Sequence, residues 1–223
     1  MTAKLFVSAI AKFLLGVVLL GALLFLPAGT MAYPQGWLLM AILFIPMFAA
    51  GLAMMAKNPA LLQSRLNAKE KEREQSMVVK LSGLMFFTGF ILAGLSFRFG
   101  WLMLPRWASW LGTALFLISY ALYAEVLREN TWLSRTIEVQ EGQQVISTGL
   151  YGVVRHPMYA VTLILFLSMP LVLGSVLCLI VFLAYPAIIV KRLLNEEKFL
   201  SRELNGYTGY MQKVRWRLLP FIW

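Results

Sequence analysis

The stretch Gly149-Leu150-Tyr151-Gly152-Val153-Val154-Arg155-His156-Pro157-Met158-Tyr159 holds the only histidine of the chain. It sits in a polar interval between two long apolar runs. Past the second run comes Arg192-Leu193-Leu194-Asn195-Glu196-Glu197. If the segment between them folds back on itself, one histidine, two arginines and two glutamates meet at one membrane boundary. Ionisable groups there are expensive unless paired, and they mark a functional site by default. Arg192 and Glu196 are four apart and share one helix face. Spacing alone leaves simpler readings open. Arg192 and Glu196 fit a surface ion pair worth about 0.3–0.5 kcal/mol, and His156 fits a satisfied interfacial histidine. Other chemistries are excluded. Cys178 is the single cysteine, so neither an intrachain disulfide nor a cysteine-rich metal site can form. Every acidic residue is a glutamate, which removes aspartate-based metal and phosphoryl-transfer sites.

The elements that position these clusters follow from composition. Of 223 residues, 60% are hydrophobic and 13% charged, against about 25% charged in soluble domains. Apolar runs of bilayer-spanning length recur. The spans expected are 13–33, 36–56, 81–97 and 107–127. The first follows Lys4 and Lys12 and reads as a retained helix rather than a signal peptide, because further spans come after it. The last apolar stretch, 158–190, is too long for one span and is interrupted by Pro170 and Gly174-Ser175. Two antiparallel helices joined at 170–175 fit it. The fold expected is therefore all-α integral membrane, with five or six membrane segments and a C-terminal helical hairpin.

Two polar intervals remain. Residues 57–80 carry the alternating run Lys69-Glu70-Lys71-Glu72-Arg73-Glu74, the pattern of a solvated helix or loop. Residues 128–156 include two alternating segments, Thr136-Ile137-Glu138-Val139 and Gln144-Val145-Ile146-Ser147, around Gln140-Glu141-Gly142-Gln143, which predicts a small β-hairpin. The formal charge is +10, and the basic residues flank apolar spans, so the pattern points to a lipid bilayer and not to nucleic acid. If the N-terminus, both polar intervals and the tail share one side, that side holds all twenty basic residues except Arg98 and Arg106. The positive-inside rule makes it cytoplasmic, with both termini there, and requires 158–190 to return to the side it left.

The segment 136–159, the apolar hairpin and then Glu196-Glu197-Lys198-Phe199-Leu200 resemble the isoprenylcysteine carboxyl methyltransferase family and the related phospholipid methyltransferases. The hallmark is R-H-P-x-Y, a hairpin, a Glu-Glu pair and a tail of spaced tyrosines ending near a proline. Here these are Arg155 to Tyr159, Glu196-Glu197, Tyr207, Tyr210 and Pro220. The resemblance covers about the last 95 residues, and Asn58-Pro59-Ala60-Leu61-Leu62 resembles a segment of prokaryotic members. Beside the four transmembrane helices that the apolar runs place over 1–127, with a charged cytoplasmic interval at 57–80, it implies a methyltransferase-like catalytic region over 128–223. It also implies a prokaryotic inner (plasma) membrane location and a cytoplasmic pocket for S-adenosyl-L-methionine, with no metal.

Carried onto this sequence, Gln143, Gln144, Val145 and Ile146 match the segment lining the cofactor. Tyr151, Arg155, His156, Pro157, Met158 and Tyr159 match its next contacts, and Glu196 a cofactor-binding glutamate. Arg192 matches an arginine facing the methyl acceptor and, with Glu197, is the expected catalytic pair. The acceptor implied is a lipophilic small molecule or a prenylated compound, the carboxylate-bearing isoprenylcysteines being the example. The chain departs from the family at Leu204-Asn205-Gly206, where Phe-Gly is usual, and at Gln143, where eukaryotic members carry histidine. Two rivals stand beside this expectation: an NADPH-dependent membrane reductase of the sterol type, and a non-enzymatic membrane assembly factor or small transporter.

Overall fold

Within hydrocarbon every backbone polar group must find its partner inside the protein, and a long apolar run does so as a helix. The computed structural model describes residues 3–57, 59–66, 73–133 and 139–223. Its helices are α1 (Ala3–Ala28), α2 (Pro34–Lys57), α3 (Pro59–Leu66), α4 (Arg73–Phe99), α5 (Arg106–Glu129), α6 (Pro157–Leu173), α7 (Val176–Phe182), α8 (Tyr185–Glu203) and α9 (Tyr207–Lys213). Among the described residues, five stretches are long and apolar enough to cross a membrane: Leu5–Ala28, Pro34–Lys57, Ser76–Phe99, Arg106–Glu129 and Val176–Glu203. The shorter apolar α6 joins them. Large side chains such as Leu26, Ile45, Phe87 and Trp110 point outward and exposed, as a lipid-facing surface requires. This is an all-α integral membrane fold. Helices α1 and α4 begin earlier than the expected 13 and 81. Hydropathy marks only the hydrocarbon depth, whereas helical hydrogen bonding continues beyond it.

The expected C-terminal hairpin is present. Helix α6 enters, and α7 with α8 returns. Pro170 stays inside α6, and the break falls at Gly174, whose φ of 70° is left-handed and suits glycine. Ser175 then starts α7, its hydroxyl accepting from Cys178 N at 3.2 Å and donating to Ser96 Oγ at 3.0 Å. The hairpin tip is tied to the loops at the far end of the bundle. Leu104 N donates to Gly174 O at 2.8 Å, Val176 N to Leu102 O at 3.1 Å, and Tyr33 Oη to Leu173 O at 3.1 Å. The 17 residues of α6 rise about 26 Å, which separates the tied tip from the open end of the hairpin.

Close approach of α5 and α6 depends on Gly112, where a Cβ would lie 2.7 Å from both Leu171 Cβ and Val172 N. Small residues at such crossings allow backbones to pack without a hydrophobic driving force. On the other side of α6, Phe86 meets Phe166 and Phe182 edge-on, and Phe166 meets Tyr185. The core thus sits around the hairpin and holds its open end in one place.

The polar intervals differ from expectation in one respect. Residues 57–80 contain α3 and the start of α4, with Lys12 Nζ capping Leu66 O at 2.8 Å. Asn58 and the charged run over 69–72 lie outside the described residues. The predicted β-hairpin is not formed by its described part, and Thr136, Ile137 and Glu138 lie outside the described residues. The turn is where it was expected, with Gln143 N bonded to Gln140 O at 3.0 Å, but 144–147 is not a strand. Val145 packs with Leu204, Tyr207 and Tyr210, and Ile146 with Val126 and Tyr151. The segment is wedged between two apolar clusters, which gives apolar residues flanked by polar ones without any sheet.

Candidate functional site

Pro157 opens α6 at its first turn, where a missing N–H costs nothing. Arg155 and His156 therefore stay outside the helix with free backbone donors. These pair with the tail: Arg155 N donates to Trp216 O at 2.8 Å and His156 N to Arg217 O at 3.0 Å. The tail lies along the motif as a clasp and delivers the Arg217 side chain to the open end of the hairpin.

Glu197 is the centre of that end. It belongs to the buried stripe of α8 formed by Tyr185, Ile189, Leu193 and Glu197, four residues apart each time. It is 6% exposed. Arg217 Nε donates to its Oε2 at 2.9 Å, His156 Nε2 lies 3.3 Å from its Oε1, and Arg155 Nε lies 2.9 Å from Oε1. The Arg155 Nε–H is not directed along its line and makes no hydrogen bond, so that contact is an ion pair without the bond. Burying a carboxylate this deeply is tolerable only with such partners.

One turn further along α6, Tyr159 stacks on His156 with ring centroids 5.7 Å apart. Its hydroxyl donates to the Glu196 carboxylate and accepts from Arg192 Nε at 3.0 Å. A single buried hydroxyl thus bridges the two residues that share a face of α8.

Beside these groups lies a narrow cleft with a cavity volume of about 90 Å³. Pockets for small ligands run about 300–1,000 Å³, so a nucleoside-sized ligand requires the cleft to widen around it. The structure brings the residues expected to hold a cofactor to this cleft. Gln143, Gln144, Val145, Ile146, Tyr151, Arg155, His156, Met158, Tyr159 and Glu196 all line it. Pro157 does not line it. Neither does Arg192, which is bonded to Tyr159 Oη, nor Glu197, whose carboxylate is turned to Arg155, His156 and Arg217.

Sequence reasoning missed several participants. Arg217 is separated from Glu197 by 20 residues, and no spacing signal connects them. Tyr207 and Tyr210 were noted as tail tyrosines without a role, yet both line the cleft. Burial pushes both hydroxyls well above the ordinary tyrosine value, with Glu196 and Glu197 adding to the effect at Tyr207. Asn130 also lines the cleft, its amide donating to Tyr151 Oη at 3.0 Å.

The arrangement suits a ligand of mixed chemistry. Arg155 offers a guanidinium and His156 an imidazole for an anionic group. Glu196 offers a carboxylate for hydroxyls or an ammonium, and Val145, Ile146, Met158, Leu200 and Leu204 offer apolar surface to a flat ring. Tyrosine faces attract a cation by roughly 0.5–2 kcal/mol each. Among the described residues, no group of three or more His, Cys, Asp or Glu is placed to hold a metal ion.

A family model described as phospholipid methyltransferase matches residues 107–205. The match runs from α5 through α8, contains every residue expected to bind cofactor or acceptor, and stops before Tyr207, Tyr210 and Arg217. It supports a membrane methyltransferase. The chain is also similar to Delta(14)-sterol reductase TM7SF2 of Mus musculus, 31% identical over 91 residues, which is 40% of this chain and 22% of that protein. The chain therefore spans about a fifth of the length of this curated relative.

Proposed function

We propose that this protein is an S-adenosylmethionine-dependent methyltransferase that modifies a lipophilic acceptor at the membrane. The observation that carries this is the convergence of Gln143 to Ile146, Arg155, His156, Tyr159 and Glu196 on one cleft at the open end of a membrane hairpin. The donor set fits the cofactor: Arg155 and His156 for its carboxylate, Glu196 for its ammonium or ribose hydroxyls, and apolar and aromatic walls for its adenine and sulfonium. When bound, S-adenosylmethionine supplies an electrophilic methyl group. The residues of the chain supply position. Methyl transfer needs alignment more than acid–base help, and alignment is worth about 7–11 kcal/mol. Glu197 keeps Arg155 and His156 in place from below the cleft and acts as a positioning residue. Arg192, bonded to Tyr159 Oη, faces an acceptor arriving from the bilayer and holds its polar head, a carboxylate in an isoprenylcysteine-like compound. The cleft then opens to the cytoplasm, where the basic residues concentrate.

The similarity to a sterol reductase favours a second reading, a reductase using NADPH. The two are separated by thermal melting of the detergent-solubilised protein. A ligand that binds only the folded state stabilises it by about 2.7 kcal/mol at one hundred times Kd. S-adenosylhomocysteine raises the melting temperature if the methyltransferase reading holds. A shift with NADPH and none with saturating S-adenosylhomocysteine overturns it.

A further inference from the structure

Four tyrosines line the cleft, and three have hydroxyls spent inside the protein. Tyr151 Oη accepts from Asn130, Tyr159 Oη bridges Glu196 and Arg192, and Tyr210 Oη donates to Tyr151 O at 2.7 Å. Tyr207 is the exception. Its side chain is 4% exposed, and its hydroxyl is buried without a hydrogen-bond partner. Buried polar groups in native proteins are almost always paired, and an orphan donor is costly. Nor can Tyr207 turn away easily. It opens α9, which Tyr210 pins to Tyr151 one turn later, and the two rings sit 5.7 Å apart. Leu204 and Val145 pack against the same cluster. If this position served packing alone, phenylalanine would do it without the cost.

We infer that Tyr207 is a ligand-binding residue of the cleft, its hydroxyl donating to an uncharged acceptor atom, a ring nitrogen or a hydroxyl oxygen, of a bound nucleoside. The hydroxyl is a donor because burial and the charges of Glu196 and Glu197 keep it protonated. Those same negative charges disfavour a carboxylate or phosphate at this point. The anionic end of a ligand belongs beside Arg155 and His156, and the uncharged nucleoside end beside Tyr207. This rests on the methyltransferase reading and assigns a residue outside the matched stretch 107–205.

The test compares full-length wild type with Tyr207→Phe in detergent. S-adenosylhomocysteine and adenosine are each titrated by calorimetry, and both proteins are melted without ligand. Losing the partner of a buried group weakens both ligands by the same factor, roughly 5- to 150-fold. The unliganded variant melts at or above the wild-type temperature, because no bond inside the protein is lost. Unchanged affinity for S-adenosylhomocysteine overturns the assignment. So does weakening for S-adenosylhomocysteine but not for adenosine, which would put the contact on the amino-acid half. So does a fall of several degrees in the unliganded melt, which would reveal a structural partner. If wild type binds no S-adenosylhomocysteine, the methyltransferase reading itself fails, and the nucleoside contact falls with it.

Discussion

Glu196 and Glu197 are neighbours in sequence with different work, and replacing each with glutamine separates them. Removing one partner of a buried ion pair costs about 3–5 kcal/mol, because the other charge is left uncompensated. Glu197 has three partners, and their exposure sets the value. Arg217 is 31% exposed and can turn to water, whereas Arg155 and His156 are 8% and 5% exposed and cannot. Glutamine also keeps one acceptor oxygen. The lower end, about 3 kcal/mol, is therefore expected for Glu197→Gln. For a chain of this size that lowers the melting temperature by roughly 6–12 °C. Glu196 lines the cleft, only partly buried, and its glutamine variant still accepts from Tyr159. Its melting temperature should fall less than that of Glu197→Gln, because the bond from the buried Tyr159 hydroxyl survives the change. Its affinity for S-adenosylhomocysteine should fall. The assay is differential scanning fluorimetry of both variants with and without the ligand. Equal melting temperatures for the two variants, or a wild-type melt for Glu197→Gln, would refute the division between a buried anchor and a cleft-lining group.

Arg192→Ala should leave S-adenosylhomocysteine affinity within a few-fold by calorimetry yet abolish methyl transfer, since Arg192 is bonded to Tyr159 Oη and does not line the cleft. Lysine at 192 should rescue poorly because it loses the planar fork; cofactor loss as severe as that of Glu196→Ala would show one structural ion pair instead. Reporter fusions at Lys4 and Trp223 should both read cytoplasmic and one at Pro105 the opposite side. Opposite readings for the two termini would contradict a hairpin that crosses twice.

Much of the fold was legible because membrane helices are specified locally. The apolar runs behind α1, α2, α4 and α5 stand out by length alone, and Gly174-Ser175 marks the hairpin break, since a left-handed residue followed by a capping hydroxyl ends one helix and starts the next. The described part of the connector departs from expectation for the opposite reason. Alternation at 144–147 resembles a half-buried strand, but its apolar side chains answer to two separate clusters built from α5, α8 and α9. Nothing local distinguishes the two.

The same boundary runs through the site. Sequence by itself determined which residues belong together: the histidine motif and the glutamate pair bracket a segment that must fold back, so they have to meet. It could not determine what each one touches. That Arg217 closes on Glu197, that Tyr159 bridges Glu196 and Arg192, and that Tyr207, of the four tyrosines lining the cleft, keeps an unspent hydroxyl were decided only by tertiary structure. Hydrophobicity and helix breaks are properties of a few consecutive residues. A hydrogen-bond partner is set by where a distant part of the chain comes to rest, within fractions of an ångström, and that depends on every packed contact in between.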